Sequence, residues 1–256
     1  CENVSNLFDI ILRVEKKFGP EDRLHTVKWF MELSKIDNFL IDSEKNNDLN
    51  SEMEVDSENI ELETYLFKVV NNNKLNDLSA MLLLFPNIDI NKANTGGWTP
   101  LYSAAMNGYT DIVEKLLAYE RIEINKVDRY GWTPLFVASL HGHTDVVERL
   151  LANESIDVNK SNNDGWTPLF VASLNGLTDV VERLLANESI EINEANKDRW
   201  TPLYSAASRG HTKIVEKLLA KKGINLMIKT DDGLTPHDIA ERNGYTEIIE
   251  KLRIAI

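Results

Sequence analysis

The tripeptide Trp-Thr-Pro recurs at an interval of 34 residues, and this period constrains the fold more than any other feature. Its four copies begin at Trp98, Trp132, Trp166 and Trp200, and Leu234 replaces the tryptophan in a fifth copy. Residues 131–160 and 165–194 differ at only five of thirty positions. A period of this length predicts an array in which each unit buries its apolar face against its neighbours.

Each unit is predicted to contain two short helices. A threonine such as Thr99 suits the N-cap of the first helix, and the following proline suits a position whose N–H would have no partner. Glycines that tolerate positive φ are expected to close these helices, at Gly108, Gly142, Gly176, Gly210 and Gly244. A second threonine, such as Thr110, is expected to cap the second helix. Acidic residues in its first turn would favour the helix dipole, at Asp111, Asp145, Asp179, Glu114, Glu148 and Glu182.

The ordered elements Thr-Pro-Leu, Ala-Ala, Gly-His, Val-Val-Glu, Leu-Leu and Asp-Val-Asn resemble the ankyrin repeat from about residue 58 onward. This resemblance implies an all-α solenoid of about six stacked helix-turn-helix units with hairpin tips. Two departures stand out, because Arg199 replaces a turn glycine and Met227 replaces a recurring asparagine. A histidine usual in the family is replaced by rings that we expect to fill space between repeats, namely Tyr102, Phe136, Phe170 and Tyr204.

The chain is predicted to have three regions. Residues 1–41 show the apolar spacing of a helical segment, a helix hairpin that either packs on the chain itself or docks a second protein. Residues 42–56 are predicted to be a flexible acidic linker, since residues 42–63 hold nine carboxylates and one lysine. The array is predicted over residues 57–256. It comprises an atypical N-terminal cap repeat over 57–90 and repeats over 91–124, 125–158, 159–192, 193–226 and 227–256.

Composition excludes several classes of protein. A net charge of −13 opposes binding to nucleic acid and to anionic lipid. The sequence lacks a stretch apolar enough for a membrane span. The single cysteine, Cys1, allows neither an intrachain disulfide nor a cysteine zinc site, which favours the cytoplasm, with the nucleus as the alternative. Because residue 1 is not methionine, we expect a fragment or a processed product.

Catalytic motifs are missing from the sequence. It contains no phosphate-binding loop, dinucleotide turn or His-Glu-x-x-His stretch. His141 and His143 form the one close histidine pair, but no third metal ligand accompanies them. His143 and His211 stand at the Gly-His position of the repeat, where a structural role is expected. We therefore expect no enzyme, no catalytic residue, no cofactor, no metal, and a monomer in isolation.

The family resemblance implies a protein-binding surface made of hairpin tips and the inner surface of the first helices. The tip residues at the matching positions are Thr95, Trp98, Arg129, Tyr130, Trp132, Asn163, Asp164, Trp166, Lys197, Asp198 and Trp200. The inner helix residues are Met106, Asn107, Leu140, His141, Leu174, Asn175, Ser208 and Arg209. The tryptophans have two interpretations: they are exposed binding anchors, or they lie flat on neighbouring hairpins as structural residues.

The function implied is a non-enzymatic protein–protein interaction scaffold whose partner is a protein. Two alternatives remain at the level of sequence. One is a substrate-recruiting adaptor of a larger complex, for example a ubiquitin ligase, in which residues 1–41 contact the complex. The other is the targeting region of a larger enzyme.

Overall fold

The computed structural model describes residues 54–255. The segment predicted over 1–41 and the linker up to residue 53 lie outside the described residues. Residues 54–56, predicted as the end of the linker, form the first turn of a helix. The chain divides into two compact units, Cys1–Asp89 and Ile90–Ile256. Every helix or strand assigned within the described range is an α-helix, which confirms the predicted all-α class.

The described part of the first unit is a helix pair, α1 (Glu54–Asn71) and α2 (Leu75–Leu84). A short turn joins the helices, with Asn73 at a φ of 54°. Apolar residues at helical spacing are buried, namely Leu66, Val69, Val70, Leu78, Met81 and Leu82. This pair occupies the region predicted as the atypical cap repeat, but α1 begins before the predicted boundary.

The described part of the second unit contains five helix pairs in the predicted order. The first helices of the pairs are α3 (Pro100–Met106), α5 (Pro134–His141), α7 (Pro168–Leu174), α9 (Pro202–Arg209) and α11 (Pro236–Asn243). The second helices are α4 (Thr110–Leu117), α6 (Thr144–Leu151), α8 (Thr178–Ala186), α10 (Thr212–Leu219) and α12 (Thr246–Ala255). First helices pack on first helices of the next pair, and second helices pack on second helices. These pairs therefore form the predicted solenoid.

The first helices begin and end as the sequence predicts. The hydroxyl of Thr99 accepts a hydrogen bond from the N–H of Tyr102 at 3.1 Å, and Pro100 is the first helical residue. The other four threonines cap their helices in the same way. Such a cap typically stabilises a helix by about 1 kcal/mol. The five closing glycines have φ between 73° and 78°, a backbone conformation that disfavours any other residue.

The predicted cap of the second helices is wrong. Thr110 is the first residue of α4, and the equivalent threonines likewise begin their helices. The N-cap position lies one residue earlier and includes His143, Leu177 and His211, none of which caps its helix through its side chain. These side chains lie over the closing glycine of the preceding repeat instead. A Cβ added to Gly108 would approach the ring of His143 to 2.7 Å.

The aromatic residues that replace the family's histidine lie in the core, as predicted. Tyr102, Phe136 and Phe170 are each 1% exposed, and Tyr204 is 4% exposed. Complete burial of side chains of this size contributes roughly 1.5–3 kcal/mol each to folding. These rings therefore belong to the structural framework of the repeats.

A hydrogen-bond ladder of asparagines joins the segment that follows one second helix to the segment that follows the next second helix. The amide of Asn125 donates to the carbonyl of Ser155 at 2.7 Å, and its Oδ1 accepts from the N–H of Asp157 at 2.9 Å. Equivalent bonds are made by Asn91, Asn159 and Asn193. Met227 occupies the next position and is 62% exposed. Because its thioether is at most a weak acceptor, Met227 does not extend the ladder.

The prediction that the repeated glutamates lie in first turns is wrong. Only the aspartates, Asp111, Asp145 and Asp179, lie in first turns of second helices. The glutamates lie further along and pair with basic residues of the next repeat. These pairs are Glu114 with Arg149 at 3.4 Å, Glu148 with Arg183 at 3.4 Å, Glu182 with Lys217 at 2.7 Å, and Glu216 with Lys251. Stacking brings residues about one period apart into contact. A prediction that considers one helix at a time does not include such contacts.

Candidate functional site

Each hairpin tip is a tight turn held by one side chain. In the second tip, the Oδ1 of Asp128 accepts hydrogen bonds from the N–H groups of Tyr130 at 2.8 Å and Trp132 at 2.9 Å. Equivalent bonds are made by Asn94, Asn162 and Asn196. The turn also needs positive φ, which Gly131 adopts at 79° and Arg199 adopts at 61° in the fourth tip. The turn therefore keeps its hydrogen-bond pattern while the residues at its apex vary.

Backbone hydrogen bonds connect successive tips. The N–H of Asn163 donates to the carbonyl of Tyr130 at 3.0 Å, and the N–H of Lys197 donates to the carbonyl of Asp164 at 3.1 Å. The third link, from Asp231 to Asp198, measures 3.3 Å. We call the exposed tip residues the tip edge: Thr95, Arg129, Tyr130, Asn163, Asp164, Lys197 and Asp198. The structure thus brings these predicted residues to the exposed apices of tips, and those from Arg129 onward lie on tips bonded to one another.

The four tryptophans are half-buried and do not belong to the tip edge. Each indole lies against the buried ring four residues later in its own repeat. The ring centroids are 5.6 Å apart for Trp98 and Tyr102, 5.3 Å for Trp132 and Phe136, 5.3 Å for Trp166 and Phe170, and 5.0 Å for Trp200 and Tyr204. This geometry favours the structural interpretation of the tryptophans. The ring that each indole contacts belongs to its own repeat and not to the neighbouring hairpin. Partner contact through their exposed edges stays a prediction.

The predicted inner helix residues divide into two rows. Met106, Leu140, Leu174 and Ser208 are half-buried, whereas Asn107, His141, Asn175 and Arg209 are exposed. Asn107 folds back onto its own helix, where its amide donates to the carbonyl of Ser103 at 2.8 Å. The exposed row varies in charge and polarity from repeat to repeat, while the half-buried row is apolar until Ser208.

The structural role expected for His143 and His211 is confirmed. The Nε2 atom of His143 lies 3.0 Å from the carbonyl oxygen of Met106, and that of His211 lies 3.1 Å from the carbonyl oxygen of Leu174. Since a carbonyl only accepts hydrogen bonds, Nε2 must carry the proton in both rings. Leu177 stands at the equivalent position between these histidines and has no donor for the carbonyl of Leu140.

His141 lies close to His143 in the same repeat. Their ring centroids are 6.1 Å apart. Burial, and secondarily the neighbouring His143, lower the pKa of His141 below its ordinary value of 6.5. Within residues 54–255, no group of three or more His, Cys, Asp or Glu side chains could hold a metal ion.

The second tip carries an aromatic and cationic cluster that the sequence did not predict as a cluster. Tyr130 is 55% exposed, and its ring lies 5.6 Å from the guanidinium carbon of Arg129 and 5.8 Å from the ring of Trp132. Val127 adjoins the same tip, is 37% exposed, and was not among the predicted site residues. The sequence could have indicated Val127, because this position is a larger apolar residue only here. The equivalent residues are small or charged: Ala93, Ser161, Ala195 and Lys229.

No helix in the described part of the chain has the length and apolarity needed to cross a membrane.

Known proteins identify the repeat. No curated protein matches the chain. The crystal structure described as EF0377, an ankyrin repeat protein, is similar to the chain at 27% identity and a TM-score of 0.69. The match covers 73% of this chain and 96% of that one. The family model for ankyrin repeats (3 copies) matches residues 23–128, 66–162, 120–196 and 178–255, so that the first match begins within the predicted N-terminal helical segment. The chain therefore belongs to the ankyrin-repeat family.

Proposed function

We propose that this chain is a non-enzymatic scaffold that binds a partner protein through the tip edge and the exposed inner helix residues. Ankyrin repeats are generally protein-interaction modules. The observation that carries the proposal is the variation of exposed residues on an unchanged framework. The same turn presents Arg129 and Tyr130 in one repeat and Asn163 and Asp164 in the next.

The framework uses a separate set of residues. Capping threonines and ring pairs stabilise each repeat from within, and the asparagine ladder and the histidine contacts join neighbouring helix pairs. The exposed side chains His141, Asn175 and Arg209 take no part in these contacts between repeats. A rigid framework that presents variable polar and aromatic side chains suits recognition, because little conformational entropy is lost when the partner binds.

We propose no reaction for this surface. The half-buried His143 and His211 are engaged with backbone carbonyls, and His141 has no carboxylate partner among the described residues. The scaffold is proposed to act in the cytoplasm, since a chain with a single cysteine suits a reducing compartment.

The test is affinity capture from cell extract with three forms of the chain. One form is wild type. The site variant carries His141→Ala, Asn175→Ala and Arg209→Ala, and leaves Asn107 unchanged because its amide donates to its own helix. The matched control carries Glu120→Ala, Glu154→Ala and Glu188→Ala, which removes exposed side chains just after second helices.

We expect proteins captured by wild type to be lost with the site variant and retained with the control. Urea unfolding must show the same midpoint for all three forms, because the substituted side chains are exposed. Retention by the site variant together with loss from the control would place binding on another surface and contradict the proposal.

A further inference from the structure

The cluster on the second tip differs from the rest of the tip edge. Tyr130 is the one aromatic side chain among the large apolar residues found exposed in the described range. The guanidinium carbon of Arg129 lies 5.6 Å from its ring centroid. Tyr, Trp and Arg are the residues most enriched at the energetic centres of protein interfaces. This tip therefore combines an aromatic surface and a cation at a point with high solvent access.

The cation of Arg129 has no ion-pair partner among residues 54–255. A guanidinium carries its N–H donors in a planar fork, and an edge of that fork matches the two oxygens of a carboxylate. An unpaired arginine on a ring is thus arranged to accept an anionic group from outside the chain.

Arg129 is exposed, and one end of its guanidinium approaches the preceding tip. A Cβ added to Gly96, in that tip, would lie in van der Waals contact with Nη2 of Arg129, at 3.6 Å. The nearest acidic residue in sequence, Asp128, is 5% exposed and is bonded to the N–H groups of Tyr130 and Trp132. Asp128 therefore holds the turn and does not neutralise the outer face of Arg129.

The charge of the chain selects the kind of anion. The net charge is −13, and phosphate recognition typically uses clusters of arginine that provide several positive charges. A single arginine beside apolar groups suits one carboxylate with an apolar neighbour. Val127, 37% exposed, adds apolar area next to the tip.

We propose that Arg129 and Tyr130 recognise an Asp or Glu side chain next to an apolar side chain in a linear segment of the partner. Arg129 binds the carboxylate through its edge, while Tyr130 and Val127 contact the apolar neighbour. This inference rests on the proposed function, since it names the partner chemistry of one part of the same surface.

The neighbouring repeat supplies a matched variant. We call the double variant Arg129→Asn with Tyr130→Asp the tip swap. It installs the residues that the third tip carries, Asn163 and Asp164, on a turn with the same hydrogen bonds. The tip swap removes the cation and the ring and uses residues that this kind of turn already accommodates. Urea unfolding of the tip swap and of wild type should therefore coincide.

The experiment pans a displayed library of random short peptides against the whole chain. We expect enriched peptides to hold Asp or Glu beside a hydrophobic residue. A synthetic peptide in which the Asp or Glu is replaced by Asn or Gln should bind about tenfold more weakly, as expected for loss of a charged hydrogen bond. The same replacement should cost nothing further with the tip swap, because the two changes remove one interaction.

Other outcomes would overturn the inference. Enriched peptides that lack a carboxylate, or that bind the tip swap as well as wild type, remove Arg129 and Tyr130 from recognition. Tighter Arg129-dependent binding of a phosphoserine peptide would assign the tip to phosphate. If no peptide is enriched, the partner is not read as a linear segment. In all these cases the proposed function stands or falls separately, by the capture experiment with the inner helix variant.

Discussion

The hydroxyl of Tyr102 donates a hydrogen bond to the carboxylate of Asp128 in the next repeat, at 3.1 Å, and both residues are buried. The turn residue differs where the ring has no hydroxyl. Phe136 and Phe170 are followed one repeat later by Asn162 and Asn196 in place of aspartate, and Tyr204 is followed by Thr230, which shares a hydrogen bond with its phenol. The buried carboxylate of Asp128 thus stands where a phenol is present to share its hydrogen bonds.

Tyr102→Phe should lower the free energy of unfolding by about 1–2 kcal/mol, because one oxygen of a buried carboxylate loses its donor. Adding Asp128→Asn, which recreates the Phe and Asn combination of the next repeats, should restore part of this loss. Urea unfolding of the two variants and wild type provides the measurement. Equal destabilisation by the single and the double change would show that the hydrogen bond is not what links the two positions.

Stability at high pH should depend on Tyr102. Burial, and secondarily the carboxylate of Asp128, raise the pKa of Tyr102 above its ordinary value of 10.0. The folded chain therefore keeps this proton at a pH where the unfolded chain releases it, and stability falls as the pH rises above 10.0. Thermal unfolding below and above that pH should show a larger loss for wild type than for Tyr102→Phe. An identical loss in both would contradict the prediction.

Leu177→His should stabilise the array. The new ring would stand where His143 and His211 donate to carbonyls of the preceding repeat, and it would reach the carbonyl of Leu140. We expect a gain of about 0.5–1 kcal/mol from the hydrogen bond, reduced by the loss of apolar contact over Gly142. His143→Leu is the reciprocal change and should destabilise by a similar amount. Chemical unfolding of the pair checks both signs.

Arg199→Gly should also stabilise the chain. Arg199 adopts a φ of 61° in a turn position where Gly165 adopts 81°. The left-handed conformation costs a non-glycine residue roughly 1–2 kcal/mol, and the greater freedom of glycine in the unfolded chain offsets part of the gain. A net increase of about 0.5–1 kcal/mol is expected in urea unfolding.

Gly165→Arg is the matched control for that change. A Cβ at Gly165 would lie 3.1 Å from the Cα of Asn196, and the backbone conformation is strained for arginine. This variant should be less stable than wild type. Unchanged stability for both substitutions would show that the tip relaxes without cost.

Trp132→Ala and Trp166→Ala should each destabilise the fold by about 1–3 kcal/mol, because each indole covers a buried phenylalanine ring at 5.3 Å. The result separates the two interpretations of the tryptophans. A variant with wild-type stability and lost partner capture would make the indole a binding anchor. A loss of stability is the outcome that the half-buried stacking predicts.

The fold follows from local signals that repeat. Thr99 and Pro100 specify the start of a helix and Gly108 its end through the chemistry of single residues, so the helix pairs could be predicted without tertiary information. The pairing of Glu114 with Arg149 could not, because it depends on how stacking aligns residues of successive repeats. The same limit applies to Thr110, which resembles a cap residue but lies one position inside its helix.

The candidate site was predicted as a set of positions and not as a geometry. The spacing placed Arg129, Tyr130 and Trp132 at one tip. Whether an indole turns outward or lies on the ring four residues later is a choice of side-chain rotamer, which sequence periodicity does not determine. The contact between Arg129 and Tyr130 is likewise visible only in the folded tip.

The asparagine ladder makes the internal repeats interchangeable. Asn125 and Asn159 bond to the same two backbone positions of the segment that follows the next second helix. Removal or duplication of a whole period therefore leaves every asparagine with both of its hydrogen bonds. An insertion of a few residues separates one asparagine from its partners. Gene rearrangement in steps of one unit can therefore lengthen or shorten the array without breaking the ladder. Met227 interrupts this pattern, because methionine cannot make the two hydrogen bonds that asparagine makes at the same position.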